Sequence, residues 1–255
     1  MVGPSFRAYS ALVGLFAVWV GAWGFLAPAE IERALPWKVP PLHARFIAAM
    51  YLAGALAMAW SLFARTLAEV RIPIALAALW TGALLLVSLR QLDAFDFAKP
   101  QVWFWIGAYA VYPLWGAWLY TRAASHASRR ALKNDPALLV LGALCLLFGA
   151  ALLLAPGAMV GAWPWAVSPL LANIYAGPFL AWGIAAILLA GESAPAARRI
   201  VLASMLAFAL LALLASLLHL RLFRFEGPSA WVWFGGFVVV AVLLAARLLA
   251  PRRTA

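Results

Sequence analysis

Cysteine is all but missing: Cys145 is the only one among 255 residues. No disulfide can form within the chain, and a lone thiol inside the apolar stretch LGALCLLFG behaves as a small hydrophobe. Charge is scarce too. Asp, Glu, Lys and Arg make up 11% of the chain, and only eight residues are acidic. No HExxH, CxxC or His-x-x-x-His spacing offers a metal site. Ser-His-Asp arrangements, glycine-rich phosphate loops and kinase motifs are missing as well. Ionisable groups are nearly absent deep inside the apolar runs. A proton- or sodium-coupled carrier needs such a group to hold charge along its path, so the sequence argues against one.

What the chain has in excess is apolar surface. It is 67% hydrophobic with a mean hydropathy of +0.99, well beyond the roughly half-apolar usage of a soluble domain. About 20 apolar residues suffice for one helical crossing of a bilayer. Eight such runs occur, at 10–28, 43–63, 72–90, 102–121, 138–156, 170–190, 200–219 and 230–249. They are long and continuously apolar, not alternating over about ten residues, which excludes a closed β-barrel. The expectation is an all-α integral membrane protein with about eight transmembrane helices. The net charge of +11 is scattered at the ends of the runs, so it reads as membrane topology and not as a nucleic-acid surface.

Eight runs with a cytoplasmic N-terminus put 12 basic residues on the cytoplasmic side and 7 on the outer side. That balance favours both termini in the cytoplasm. Arginine outnumbers lysine 16 to 3, a usage that points to a GC-rich prokaryote and its plasma (inner) membrane. Tryptophans 37, 103, 105, 163, 165, 231 and 233 fall at the outer boundary, the depth that indole rings prefer. Arg7, an apolar stretch and Ala27-Pro28-Ala29 imitate a signal peptide. The similar LLAPGAM in mid-chain cannot be one, so the first run reads as a retained span.

That similarity extends across the chain. Shifted by 128 residues, FLAPAEIERALPWKVPPLHA (25–44) lies over LLAPGAMVGAWPWAVSPLLA (153–172). Without a gap, DAFDFAKPQVWFWIG (93–107) lies over RLFRFEGPSAWVWFG (221–235), and Ser88 over Ser216. The register predicts an internal duplication: a four-helix repeat at 1–121, a basic cytoplasmic linker at 122–137, and a second repeat at 138–255. Four is even, so the repeats should be parallel and related by a pseudo-two-fold along the membrane normal. Pro41 and Pro169 suit first turns of helices, and Asn134 or Asp135 suits the cap ahead of Pro136.

Function should lie where the copies differ. The first outer loop holds Glu30, Glu32 and His43, and His219 ends the seventh run; the first three become Ala158, Val160 and Leu171, and His219 corresponds to Gln91. These four are candidate outer-face ligand contacts. Asp93 and Asp96 correspond to Arg221 and Arg224, the same positions with the sign reversed. Near the two-fold, the acidic pair could face the basic pair and specify how the halves meet. The leading functional expectation is binding or facilitated movement of a small apolar or amphiphilic molecule, lipid or quinone-like, between the repeats. An accessory or scaffold subunit with partner membrane subunits is the alternative. A membrane-embedded enzyme using Glu30, Glu32, His43, Asp93 or His219 at the outer face is a third reading. No catalytic motif supports it, and the sequence names no cofactor.

Overall fold

The computed structural model describes residues 1–33, 35, 37, 39–124 and 135–250, and is helical throughout with no strand among them. In order the helices are α1 (Pro4–Leu26), α2 (Pro41–Leu62), α3 (Leu67–Arg90), α4 (Pro100–Ala124), α5 (Pro136–Leu154), α6 (Pro156–Ala162), α7 (Pro169–Ala190), α8 (Pro195–Leu218) and α9 (Pro228–Leu249). Every one of them except α3 opens on proline. Proline fixes φ for the first turn and lacks an N–H that would otherwise find no partner there. Asp135 caps α5, its carboxylate accepting from the N–H groups of Ala137 and Leu138. Asn134 and the rest of 125–134, the core of the basic linker, lie outside the described residues.

Seven of the helices are long and apolar enough to cross a membrane. Together they make the chain a multi-pass helical membrane protein by length and composition. The eighth long helix, α4, has the length but not the hydropathy. Its four tryptophans and three tyrosines are side chains of the membrane boundary, weakly apolar on a hydropathy scale.

Four helices form the centre. Within that centre α2 packs on α8 and α3 on α7, and α3 also touches α8. Around them α1 lies on α2, α4 on α3, α5 on α7 and α9 on α8. Burial follows that arrangement: 72% of the apolar window is buried in α2 and α7, against 28% in α5 and 17% in α9. The closest approaches use glycine, as expected where helices must pack without a hydrophobic drive. A Cβ on Gly21 would stand 2.8 Å from Leu52 of α2, and one on Gly149 would stand 2.9 Å from Leu180 of α7.

Bonds at one end recur 128 residues apart. The Ser88 hydroxyl donates to the Leu84 carbonyl and accepts from the Trp105 indole at 3.0 Å. Ser216 does the same with Ala212 and Trp233, again at 3.0 Å from the indole. Trp103 donates to the Phe97 carbonyl as Trp231 does to Phe225. Each serine thus ties the helix that it ends to the tryptophan of the next one. We call this the tryptophan-rich end of the bundle, and the other the basic end.

Candidate functional site

Each of the three described candidate outer-face side chains has a partner of its own. Glu30 is exposed and ion-paired to Arg33 at 3.0 Å within its own turn. The Glu32 side chain lies outside the described residues. His43 is buried in the first turn of α2, its Nδ1 2.6 Å from the Tyr175 hydroxyl of α7. His219 follows α8 and its Nε2 stands 2.7 Å from an Arg45 guanidinium nitrogen. Among the described residues no three His, Cys, Asp or Glu side chains are grouped to hold a metal ion.

The Arg45–His219 contact has a counterpart that explains it. Arg45 Nε also donates to the Phe25 carbonyl at the end of α1. A shift of 128 residues turns Arg45, His219 and Phe25 into Asn173, Gln91 and Leu153. Those three are joined in the same arrangement, with the side-chain bond reversed: Gln91 donates to Asn173 at 2.9 Å, and Asn173 donates to the carbonyls of Leu152 and Leu153. Each trio joins α2 to α8, or α7 to α3, at the tryptophan-rich end. These are latches between the first four helices and the rest, one built with charge and the other from amides.

Burial, and next the Arg45 guanidinium, hold the His219 imidazole below its ordinary value of 6.5. The neutral ring accepts from Arg45, which is the form the fold favours. A depressed histidine contributes fully above 6.5, and its contribution is lost as pH falls through the lowered value. Thermal stability in detergent is therefore expected to drop on acidification from pH 7 to 5, with a smaller drop in His219→Gln. That variant copies Gln91 and cannot titrate; an unchanged pH dependence would assign the effect elsewhere.

The sign-reversed charges are not brought together. Asp93, Asp96, Arg221 and Arg224 are all exposed, and no ion pair within 4.0 Å joins either aspartate to either arginine. Asp96 pairs with Lys99 at 3.7 Å instead, and the Arg224 backbone N–H donates to the Pro164 carbonyl. A charge that links the two parts of the chain stands at the basic end. Arg71 of α3 meets Glu192, between α7 and α8, at 2.7 Å with both side chains largely shielded.

The feature with room for a molecule lies elsewhere. A cavity of about 450 Å³ opens between α5 and α9 and reaches in to α7 and α8. Its wall is aliphatic and aromatic, with Phe148, Trp163, Phe179, Trp182, Phe208 and Trp233 among the lining residues and no charged side chain. Leu144 and Val232 line it while 59% and 70% exposed, so the mouth faces the surface that the bilayer would cover. A second cavity of about 30 Å³ occupies the corresponding place among α1–α4. Ten of its lining residues have their partner, 128 positions on, in the wall of the large one.

Side-chain size accounts for the difference. In the small cavity Phe16 packs against Tyr51, Phe104, Tyr109 and Tyr112 at 5.7–6.3 Å between rings. The Tyr51 and Tyr109 hydroxyls bond to each other. Phe16, Phe104 and Tyr112 become Leu144, Val232 and Val240 in the large cavity. Helix α1 also touches α4, whereas α5 and α9 make no comparable contact. One position is plugged by aromatic rings and its counterpart is open. Each cavity is lined from one half of the chain alone.

Compared with known protein families, curated proteins and solved structures, the chain matches none.

Proposed function

We propose that this chain is an eight-span membrane protein, α4 included, that binds a small apolar or amphiphilic molecule taken from the bilayer into the α5–α9 cavity. The observation that carries the reading is the pair of corresponding cavities, one sealed to about 30 Å³ and the other open to about 450 Å³. An empty apolar cavity of that size is costly to keep, and its volume lies in the range of small-molecule sites. The recurrent serine–tryptophan bonds and the two latches support an internal duplication, with parallel copies and a pseudo-two-fold along the membrane normal. Placement in a prokaryotic inner membrane with cytoplasmic termini rests on the basic residues and arginine usage. A cavity with a lateral mouth also suits facilitated movement of the bound molecule between bilayer and protein.

Native mass spectrometry of gently extracted protein tests the reading. The wild type is expected to carry a small-molecule adduct. Leu144→Phe/Val232→Phe/Val240→Tyr, which copies the plug of the first half, should lose that adduct while keeping the melting temperature. An adduct of unchanged abundance in a folded triple variant would overturn it. Retention of a partner subunit instead of a small molecule would favour the accessory-subunit reading.

A further inference from the structure

We infer that the α5–α9 cavity takes an acyl chain of an anionic phospholipid, whose phosphate is held at the cavity rim by Arg221 and Arg224. This rests on the reading of the cavity as a binding site and adds the class of its occupant.

The loop between α8 and α9 builds that rim. The backbone N–H of Arg224 donates to the Pro164 carbonyl at 2.8 Å. Pro164 itself lines the cavity, as does Ser229 in the first turn of α9. Val232, 70% exposed, lines the mouth three residues further on, about 4.5 Å along the helix. The mouth therefore reaches the tryptophan-rich end, beside this loop. Phe223 and Phe225 hold the loop in place, packed against Phe234 of α9 at 5.0 and 6.1 Å between rings. Arg221 and Arg224 are exposed on it.

Neither guanidinium has a hydrogen bond or an ion pair among the described residues, and Glu226, the one carboxylate of the loop, is exposed and unpaired as well. The loop thus carries a net positive charge. Behind it, no Asp, Glu, Lys, Arg or His lines the cavity. A phosphate drawn inside would lose its water with nothing to compensate. At the rim it stays hydrated and meets guanidinium forks that match its oxygens. A lipid with its chain in the wall and its phosphate at the loop has each part in surroundings that suit it.

The other half of the chain has the opposite rim. There the cavity is sealed, and Asp93 and Asp96 stand at the positions of Arg221 and Arg224. Lys99 pairs with Asp96, which leaves that loop net negative and repulsive to a phosphate. The open cavity goes with the basic pair and the sealed one with the acidic pair. A wholly apolar occupant would give the sign of the charge no reason to follow the cavity.

The full chain, stripped of lipid in a neutral detergent, is offered equal amounts of phosphatidylglycerol, phosphatidylcholine and diacylglycerol with matched chains. Native mass spectrometry should show phosphatidylglycerol retained at least about fivefold over either other lipid, the pull of one surface arginine. Arg221→Asp/Arg224→Asp, which copies Asp93 and Asp96, should lose that preference at an unchanged melting temperature. Arg221→Lys/Arg224→Lys should keep most of it. Arg90→Gln, which removes an exposed cation at the same end of α3, should keep all of it. Cys145 lines the cavity and is the only cysteine, so its alkylation by N-ethylmaleimide reports where the chain sits. Phosphatidylglycerol should slow that alkylation more than the other two lipids do, and the aspartate variant should erase the difference. Equal retention of the three lipids, a preference that survives the aspartate variant, or the same loss in Arg90→Gln would overturn the headgroup assignment and leave the cavity standing. A preference that survives in the plugged triple variant would overturn the seating of the chain. No lipid retained and Cys145 unprotected by all three would remove the site itself.

Discussion

Asp135→Ala is expected to lower the melting temperature of the detergent-solubilised protein by about 6–12 °C, from a loss on the order of 3 kcal/mol. One residue holds four helix ends, three of them through its carboxylate. It caps α5 through Ala137 and Leu138, and its own backbone N–H donates to the Ala190 carbonyl at the end of α7. It pairs with Arg198 of α8 at 3.4 Å. Arg247 of α9 grips both of its oxygens, at 2.9 and 3.0 Å. Alanine removes the cap, strands the Arg247 guanidinium and leaves Arg198 with the Leu189 carbonyl, both arginine side chains being only 27% exposed. Asp135→Asn, which keeps a capping oxygen but not the charge, should lose roughly half as much. A drop under about 2 °C in the alanine variant would show that water and headgroups already solvate these arginines.

The Arg247 hydrogen bonds hold the Asp135 carboxyl below its ordinary value of 3.8. Its contribution is complete above 3.8 and is lost only as pH falls through the lower folded value. Between pH 5 and 7 this cluster is insensitive, so a stability change in that window separates His219 from Asp135. The pair also joins α5 to α9, two walls of the large cavity, at the basic end. Its loss should speed Cys145 alkylation as well as reduce stability.

Gly149→Ala and Gly21→Ala are each expected to cost about 1–3 kcal/mol, or roughly 3–10 °C in melting temperature. The added methyl would lie 3.0 Å from the Leu180 backbone nitrogen in one case and 3.1 Å from that of Leu52 in the other. A side chain can turn aside, but a packed helix backbone cannot. The two helix pairs would have to separate along their length. Gly235→Ala is the control: nothing lies within 4 Å of its Cβ, and alanine in a helix should be neutral or stabilising by up to about 1 kcal/mol. Equal behaviour of all three variants would mean that the glycine seams are not what sets helix spacing.

Much of the helical layout was legible, because long apolar runs ended by proline leave few alternatives. The match of Ser88 with Ser216 was visible too, and the structure supplies its reason, a tryptophan donor on the following helix. The latches were half visible. His219 over Gln91 and Arg45 over Asn173 are plain in the alignment, but which residue faces which depends on α2 packing against α8 instead of α3. The expected pairing of Asp93 and Asp96 with Arg221 and Arg224 did not form. Exposed charges are solvated where they stand, and Lys99, one turn from Asp96, satisfies it locally. The Arg71–Glu192 pair left no such trace, since its counterparts are Arg199 and Ala64. The α5–α9 cavity was the least legible feature. It comes from three aromatic side chains exchanged for aliphatic ones on helices distant in sequence, and no linear pattern marks an unfilled volume.

The two latches also bear on how the two sets of four helices meet. Arg45 donates to His219 and Gln91 donates to Asn173, but the amides and the imidazole can each serve in either role. Two copies of the first half would set Arg45 against Gln91, and two copies of the second would set Asn173 against His219. Both combinations still place a donor before an acceptor. The joint between the two sets of four helices therefore never requires its two sides to differ.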